Sequence, residues 1–205
     1  MNLTQEKERI LNRVLSLYSK YGIRSITKDD ISRELGMSKN TLYQHVEDKN
    51  DLVKEVIEYE IMVNQQFMEE MVVSGFNAIE ELIHVNKRIN AMQGVHNPTF
   101  FYDLKKYYPE VFARFMEYKR KRMYEQIMRN LKKGKEEGLY REEMDEHVIG
   151  MLYVARVEML NSHEILQEDE TTSVRFIREI FLYHLHGICN ERGLKFLKEH
   201  KENIL

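Results

Sequence analysis

The chain has 205 residues, of which 42% are hydrophobic and 32% charged, with a net charge of −3. That length suits one domain or two small ones with a buried core, and the charge balance argues against a partner held by a broad basic field alone. The single cysteine, Cys189, excludes an internal disulfide and fits a reducing compartment.

Two prolines and nine glycines favour helices over a strand-rich fold. The N-terminus, MNLTQEKERI, carries no apolar signal region, and no apolar run approaches the roughly 18 residues of a membrane helix. The expectation is an all-α, cytoplasmic protein with no membrane partner.

The first helix is predicted from Thr4 to Tyr21. Ile10, Val14, Leu17, Tyr18 and Tyr21 share one face at helical spacing, and Gly22 closes it. The stretch from Thr27 to Leu52 then reads as two short helices and the start of a third. Thr27 caps the first of these, with Asp30 three residues on as an acidic variant of the capping box. Ile31 and Leu35 mark its inner face, and Gly36 stops it. Ser38 caps the second helix, expected to run to Val46, with Leu42 and Val46 inward. Asp48 caps the third. Two short helices joined by a glycine-containing turn form the helix-turn-helix pattern. At about 100° per residue, Asn40 and Gln44 point away from Leu42. Their amides suit the N6 and N7 edge of adenine in the major groove. Thr27, Tyr43, His45 and Lys49 suit phosphate, with Ser38, Lys39 and Thr41 beside them on the same surface.

These residues carry a specific resemblance. The order Thr27, Ile31, Gly36, Ser38-Lys39, Thr41-Leu42-Tyr43, His45, Lys49 and Leu52 resembles the DNA-binding domain of the TetR family of transcriptional regulators. Its usual pattern is T-x-x-x-I-A-x-x-x-G-x-S-x-G-x-L-Y-x-H-F-x-x-K-x-x-L. The chain departs from it at Ser32, Asn40 and Val46, where Ala, Gly and Phe are usual. Asn40 puts a base-reading side chain where many members have none. The detailed match covers about the first quarter of the chain; the rest resembles the family in helix layout and length. The resemblance implies an N-terminal helix-turn-helix domain over 1–48 and a larger helical domain over 49–205 that binds an effector and dimerises. One feature of the charge runs against easy DNA binding: residues 1–60 hold 10 Lys+Arg against 11 Asp+Glu.

Further along, a long helix is predicted from Lys49 to about Val73, ended by Ser74-Gly75, and another from Ala78 to Met92. Gly94 to Pro98 breaks the pattern. A short helix runs from Phe100 to Tyr107, and Pro109 opens a long one that Gly134 and Gly138 close. Lys119 to Arg141 carries 9 Lys+Arg against 3 Asp+Glu, which reads as a solvated face. The next helix is expected over Asp145 to Leu166. The last long one, capped by Thr171 or Thr172, extends to about Glu191, and the tail from Gly193 is expected to be a loose final turn. Phe176, Ile180, Tyr183 and Gly187 form a second apolar stripe on that last helix, which invites a partner subunit.

No metal-ligand spacing, phosphate loop or nucleophile motif is present, so no catalytic residue, metal or cofactor is expected. As a set, Met62, Phe67, Met71, Met92, Phe101, Tyr102, Phe112, Phe115, Met116 and Tyr124 suit an adaptable apolar pocket, though for any one of them alone a place in the core is the better reading. The resemblance implies such a pocket, filled by a small apolar or amphipathic effector. It also implies a homodimer, most simply a repressor, on near-palindromic double-stranded operator DNA. A small-molecule binding protein whose helix-turn-helix is only structural stays open as the alternative.

Overall fold

The structure, a computed structural model, describes residues 4–44, 48–73, 75–92, 98–162 and 174–200. The described residues form ten helices: α1 Gln5–Tyr21, α2 Lys28–Leu35, α3 Lys39–Tyr43, α4 Lys49–Val73, α5 Ala78–Met92, α6 Pro98–Tyr107, α7 Pro109–Glu136, α8 Glu146–Ser162, α9 Val174–Ile188 and α10 Glu191–Glu199. The only strand-like pairing among them is one isolated bridge between Tyr140 and Cys189. The expected all-α class holds. No helix among the described residues is long and apolar enough to cross a membrane.

The helices fall into two units. The first comprises Met1–Glu70 and Gly94–Glu117, the second Met71–Gln93 and Tyr118–Leu205. The first unit is built on α1. Thr4 caps it by accepting the Lys7 N–H, and Ile10, Leu11, Val14 and Tyr18 are buried on its inner face. Ile23, Ile31, Leu42, Leu52 and Val56 close over that face, and Phe100 and Leu104 of α6 join the same cluster. Burying side chains of this size contributes about 1.5–3 kcal/mol each. Gly22 ends α1 at φ 82°, and α6 packs so near that a Cβ there would lie 2.6 Å from the Thr99 hydroxyl. Only glycine serves at that corner on both counts.

The second unit holds a polar pin inside its core. Asn130 of α7 donates to the Ala78 carbonyl at 2.8 Å and to Glu81 at 3.2 Å, and accepts from the Tyr140 hydroxyl at 3.0 Å. Lys133 meets the other Glu81 oxygen at 2.6 Å. Satisfied in this way, a buried network fixes register where apolar contacts alone would slide.

Three sequence expectations change here. Gly134 does not close α7; it lies inside the helix, and its missing side chain seats the Tyr140 ring. The last long helix stops at Ile188 rather than Glu191. Beyond it lies a true helix in place of a loose turn: Asn190 caps α10 by accepting the Gly193 N–H, and Leu197 is buried. Asp145 caps α8 through the Val148 N–H at 3.1 Å. The expected end of that helix at Leu166, the caps Thr171 and Thr172, and the break over 94–97 lie outside the described residues.

Candidate nucleic-acid interface

Local chemistry fixes the helix-turn-helix. Thr27 and Asp30 form a full capping box at the start of α2: the Thr27 hydroxyl accepts the Asp30 N–H, and the Asp30 carboxylate accepts the Thr27 N–H at 2.9 Å. Hydrogen bonds from Thr27 hold the Asp30 carboxyl below the usual carboxylate range. At the other end Gly36 is left-handed at φ 65°. Its N–H reaches the Arg33 carbonyl, and the Met37 N–H reaches Ser32 at 3.0 Å. That is a Schellman turn, and it aims the chain into α3. Ser38 caps α3 through the Thr41 N–H at 3.1 Å, and its hydroxyl shares a hydrogen bond with the Thr41 hydroxyl at 2.8 Å.

α3 is five residues long and rests on one apolar anchor. Leu42 is fully buried, while Lys39, Asn40 and Gln44 are exposed and Thr41 is half-buried. Asn40 and Gln44 therefore stand on the face opposite Leu42, as their spacing requires. Lys39 pairs with Asp29 of α2 at 2.7 Å, which ties the two helices across the turn. Thr27 is exposed at the start of α2. Tyr43 is the last residue of α3. His45 lies outside the described residues, as does Val46.

Lys49 is placed differently from a phosphate-gripping side chain. It is half-buried, and its ammonium donates to the Ile26 carbonyl at 2.7 Å. Burial lowers its pKa. A phosphate would have to compete with that carbonyl. Sequence spacing could not reveal this, because Ile26 approaches only once α4 has packed against the loop before α2. Asp48 caps α4 through the Asp51 N–H at 2.8 Å, as expected.

The residues proposed for an effector divide between the two units. Met62, Phe101, Phe112, Phe115 and Met116 pack together on the apolar cluster of the first unit, with Phe115 buried. The Phe101 and Phe115 rings stack at 6.5 Å. Phe67 of α4 is half-buried. Tyr102 is 57% exposed, its hydroxyl accepting from Lys106 at 2.8 Å. Tyr124 belongs to the second unit and shares a hydrogen bond with His147 at 2.7 Å. Met71 and Met92 sit in α4 and α5, but their side chains lie outside the described residues.

On α9, Tyr183 is 82% exposed, Gly187 is exposed, and Phe176 and Ile180 are half-buried. α8 adds Val148, Met151 and Leu152, all large apolar side chains left in the open. The sequence pattern missed this α8 stripe because α8 is apolar nearly all round, so no single face stood out.

Comparison with known proteins accords with this geometry. Residues 10–56 match the model of the bacterial regulatory proteins of the tetR family. An HTH-type transcriptional regulator of Staphylococcus aureus strain USA300 is 27% identical over 85 residues, which is 42% of this chain and 42% of that protein. The match thus spans less than half the length of that curated relative. A transcriptional regulator from Cytophaga hutchinsonii ATCC 33406 superposes with a TM-score of 0.74 at 20% identity, covering 91% of this chain and 100% of the other. A TetR-family regulator from Agrobacterium tumefaciens does so at 0.67 and 16%, covering 91% and 99%. At such identities the structural likeness speaks for the fold, and the family model speaks for the helix-turn-helix. Residues 10–56 thus carry a helix-turn-helix module of the tetR-family type, on a chain whose fold along most of its length is that of these solved regulators.

Proposed function

We propose that the protein is a DNA-binding transcriptional regulator, acting as a homodimer on a near-palindromic operator and released as a repressor by a small apolar or amphipathic effector. The observation that carries this reading is α3: a helix with one buried anchor that turns two amide side chains, Asn40 and Gln44, outward between capped helix starts. Residues 1–48 supply the helix-turn-helix. Asn40 and Gln44 read bases, while Thr27, Ser38, Lys39, Thr41, Tyr43 and His45 hold the backbone. Residues 49–205 serve dimerisation and effector binding.

The dimer would form through the open faces of α8 and α9. A soluble monomer seldom leaves Val148, Met151, Leu152 and Tyr183 exposed together, and a second copy of the same faces would cover them. The effector would lie against Met62, Phe67, Phe101, Phe112, Phe115 and Met116, whose flexible and aromatic side chains adapt to varied apolar shapes. Release follows from linkage: a ligand that prefers the DNA-incompetent arrangement lowers DNA affinity by that preference.

Selection of duplexes from a random pool tests the core claim. Enrichment of a two-fold related sequence, bound with a steep salt dependence, is the expected result. Tight binding of small molecules with no duplex enriched would instead favour a binding protein whose helix-turn-helix is only structural.

A further inference from the structure

Cations in the helix-turn-helix are largely neutralised from within. Lys7 pairs with Glu55 at 2.5 Å, Arg9 with Glu6 at 2.8 Å, Arg33 with Asp30 at 3.9 Å, and Lys39 with Asp29 at 2.7 Å. Arg13 pairs with Glu34. A second group of cations in the same unit is held differently. Arg24, in the loop between α1 and α2, lies 4.4 Å from the centre of the Tyr107 ring. Lys106 donates to the Tyr102 hydroxyl at 2.8 Å and lies 5.4 Å from the Tyr107 ring. Lys105 is exposed beside it, and no ion pair engages Arg24, Lys105 or Lys106 among the described residues. A phenol orients a cation without cancelling its charge, so this patch stays positive. Accordingly, the Arg24 guanidinium holds the Tyr107 hydroxyl below its ordinary pKa. A nearby carboxylate, Asp103, is buried and accepts the Arg24 backbone N–H at 2.8 Å.

Position matters as much as charge. Arg24 lies within the loop that ends at Thr27, the cap of α2. That loop is fastened on one side to α4 by Lys49 and on the other to α6 by Asp103. The patch therefore adjoins the edge of the helix-turn-helix where the start of α2 faces phosphate in the proposed function.

We propose that the last turn of α6 is part of the DNA-binding surface, with Lys105 and Lys106, beside Arg24, gripping phosphates of the duplex backbone beyond those that α3 reaches. Phosphate contacts of this kind position a protein without reading sequence. They would also supply the electrostatic attraction that the internally paired helix-turn-helix lacks. The inference rests on the DNA-binding reading.

The test uses the full-length protein and a random-sequence duplex, with binding measured over a salt series. Lys105→Gln with Lys106→Gln is compared with wild type and with Lys132→Gln plus Lys195→Gln. This control makes the same charge change at lysines of the second unit that are 73% and 77% exposed. The α6 variant should lose about 0.9 from the slope of log K against log salt for each phosphate contact removed, and the control should lose none. Base preference on selected duplexes should stay unchanged. A wild-type slope in the α6 variant, or an equal loss in the control, overturns the inference and leaves DNA binding itself intact. A wild-type protein with no salt-dependent DNA binding overturns both.

Discussion

Leu42→Ala separates holding the reading helix from reading with it. The substitution removes three buried carbons, at about 0.8 kcal/mol each, or about 2.4 kcal/mol of transfer free energy. A cavity term adds to this, but α3 is only five residues long and can partly collapse onto the gap. A loss of about 2–3.5 kcal/mol is therefore expected, a large share of the 5–15 kcal/mol typical of a domain. A five-residue helix has no stability of its own, so its orientation depends on this anchor. Gln44→Ala provides the contrast. Gln44 is exposed, and its loss should move stability by no more than about 0.5 kcal/mol. It should, however, relax base preference at one position of each half-site by about 1–3 kcal/mol. Urea denaturation measures the first effect, and selected-duplex binding of both variants measures the second. A Leu42→Ala protein within 1 kcal/mol of wild type would refute the anchoring role. Uniformly weaker binding by Gln44→Ala, with the same preferred sequence, would refute the reading role.

Other consequences follow from the same structure. Lys49→Met keeps the packed stem and removes the hydrogen bond to Ile26; the salt slope should stay at its wild-type value, and a fall of about 0.9 per subunit would show that the ammonium grips phosphate after all. Ile180→Glu with Tyr183→Glu should yield monomers in analytical ultracentrifugation, and an intact dimer would place the interface elsewhere. His184 is pushed down to about 3, first by burial and then by the Arg156 charge. An unfolded histidine takes a proton near pH 6.5, so between about 3 and 6.5 the unfolded state binds more protons than the folded one. Stability should therefore fall as pH drops below about 6.5. A His184→Phe protein should lose part of that slope in melts taken between pH 7 and 4, and an unchanged slope would count against a neutral, buried imidazole.

Much of the first unit was legible in the sequence because its signals are local. Thr27 with Asp30, Gly36, Ser38 and Gly22 are caps whose partners lie within a few residues, and the structure places each at the helix end read for it. Ile31 and Leu35 follow helical period onto the buried face of α2, and Ile26 and Leu42 join them in the same core. What stayed hidden depends on contacts distant along the chain. The Lys49 ammonium meets a carbonyl 23 residues away, and Asp103 meets the loop after α1 from 79 residues away. Gly134 looks like a stop signal until Tyr140 is seen filling the space beside it. α10 looked like a charged tail because Asn190 was not recognised as its cap.

The near-neutral charge of the first 60 residues also takes on a different meaning. The count of 10 against 11 counts every cation equally, whereas the structure sorts them by partner. Lys39 spends its charge on Asp29, where it ties α3 to α2 across the turn, and Arg33 on Asp30 within α2. Surface pairs of this kind add little stability, so their use is geometric: they hold side chains in place around α3. Arg24 and Lys106 lean on phenol rings instead and keep their charge. A protein arranged in this way would keep its nonspecific attraction at one edge and its sequence contacts at the other. Changing one would then leave the other in place, which is the separation that the Lys105, Lys106 and Gln44 variants measure.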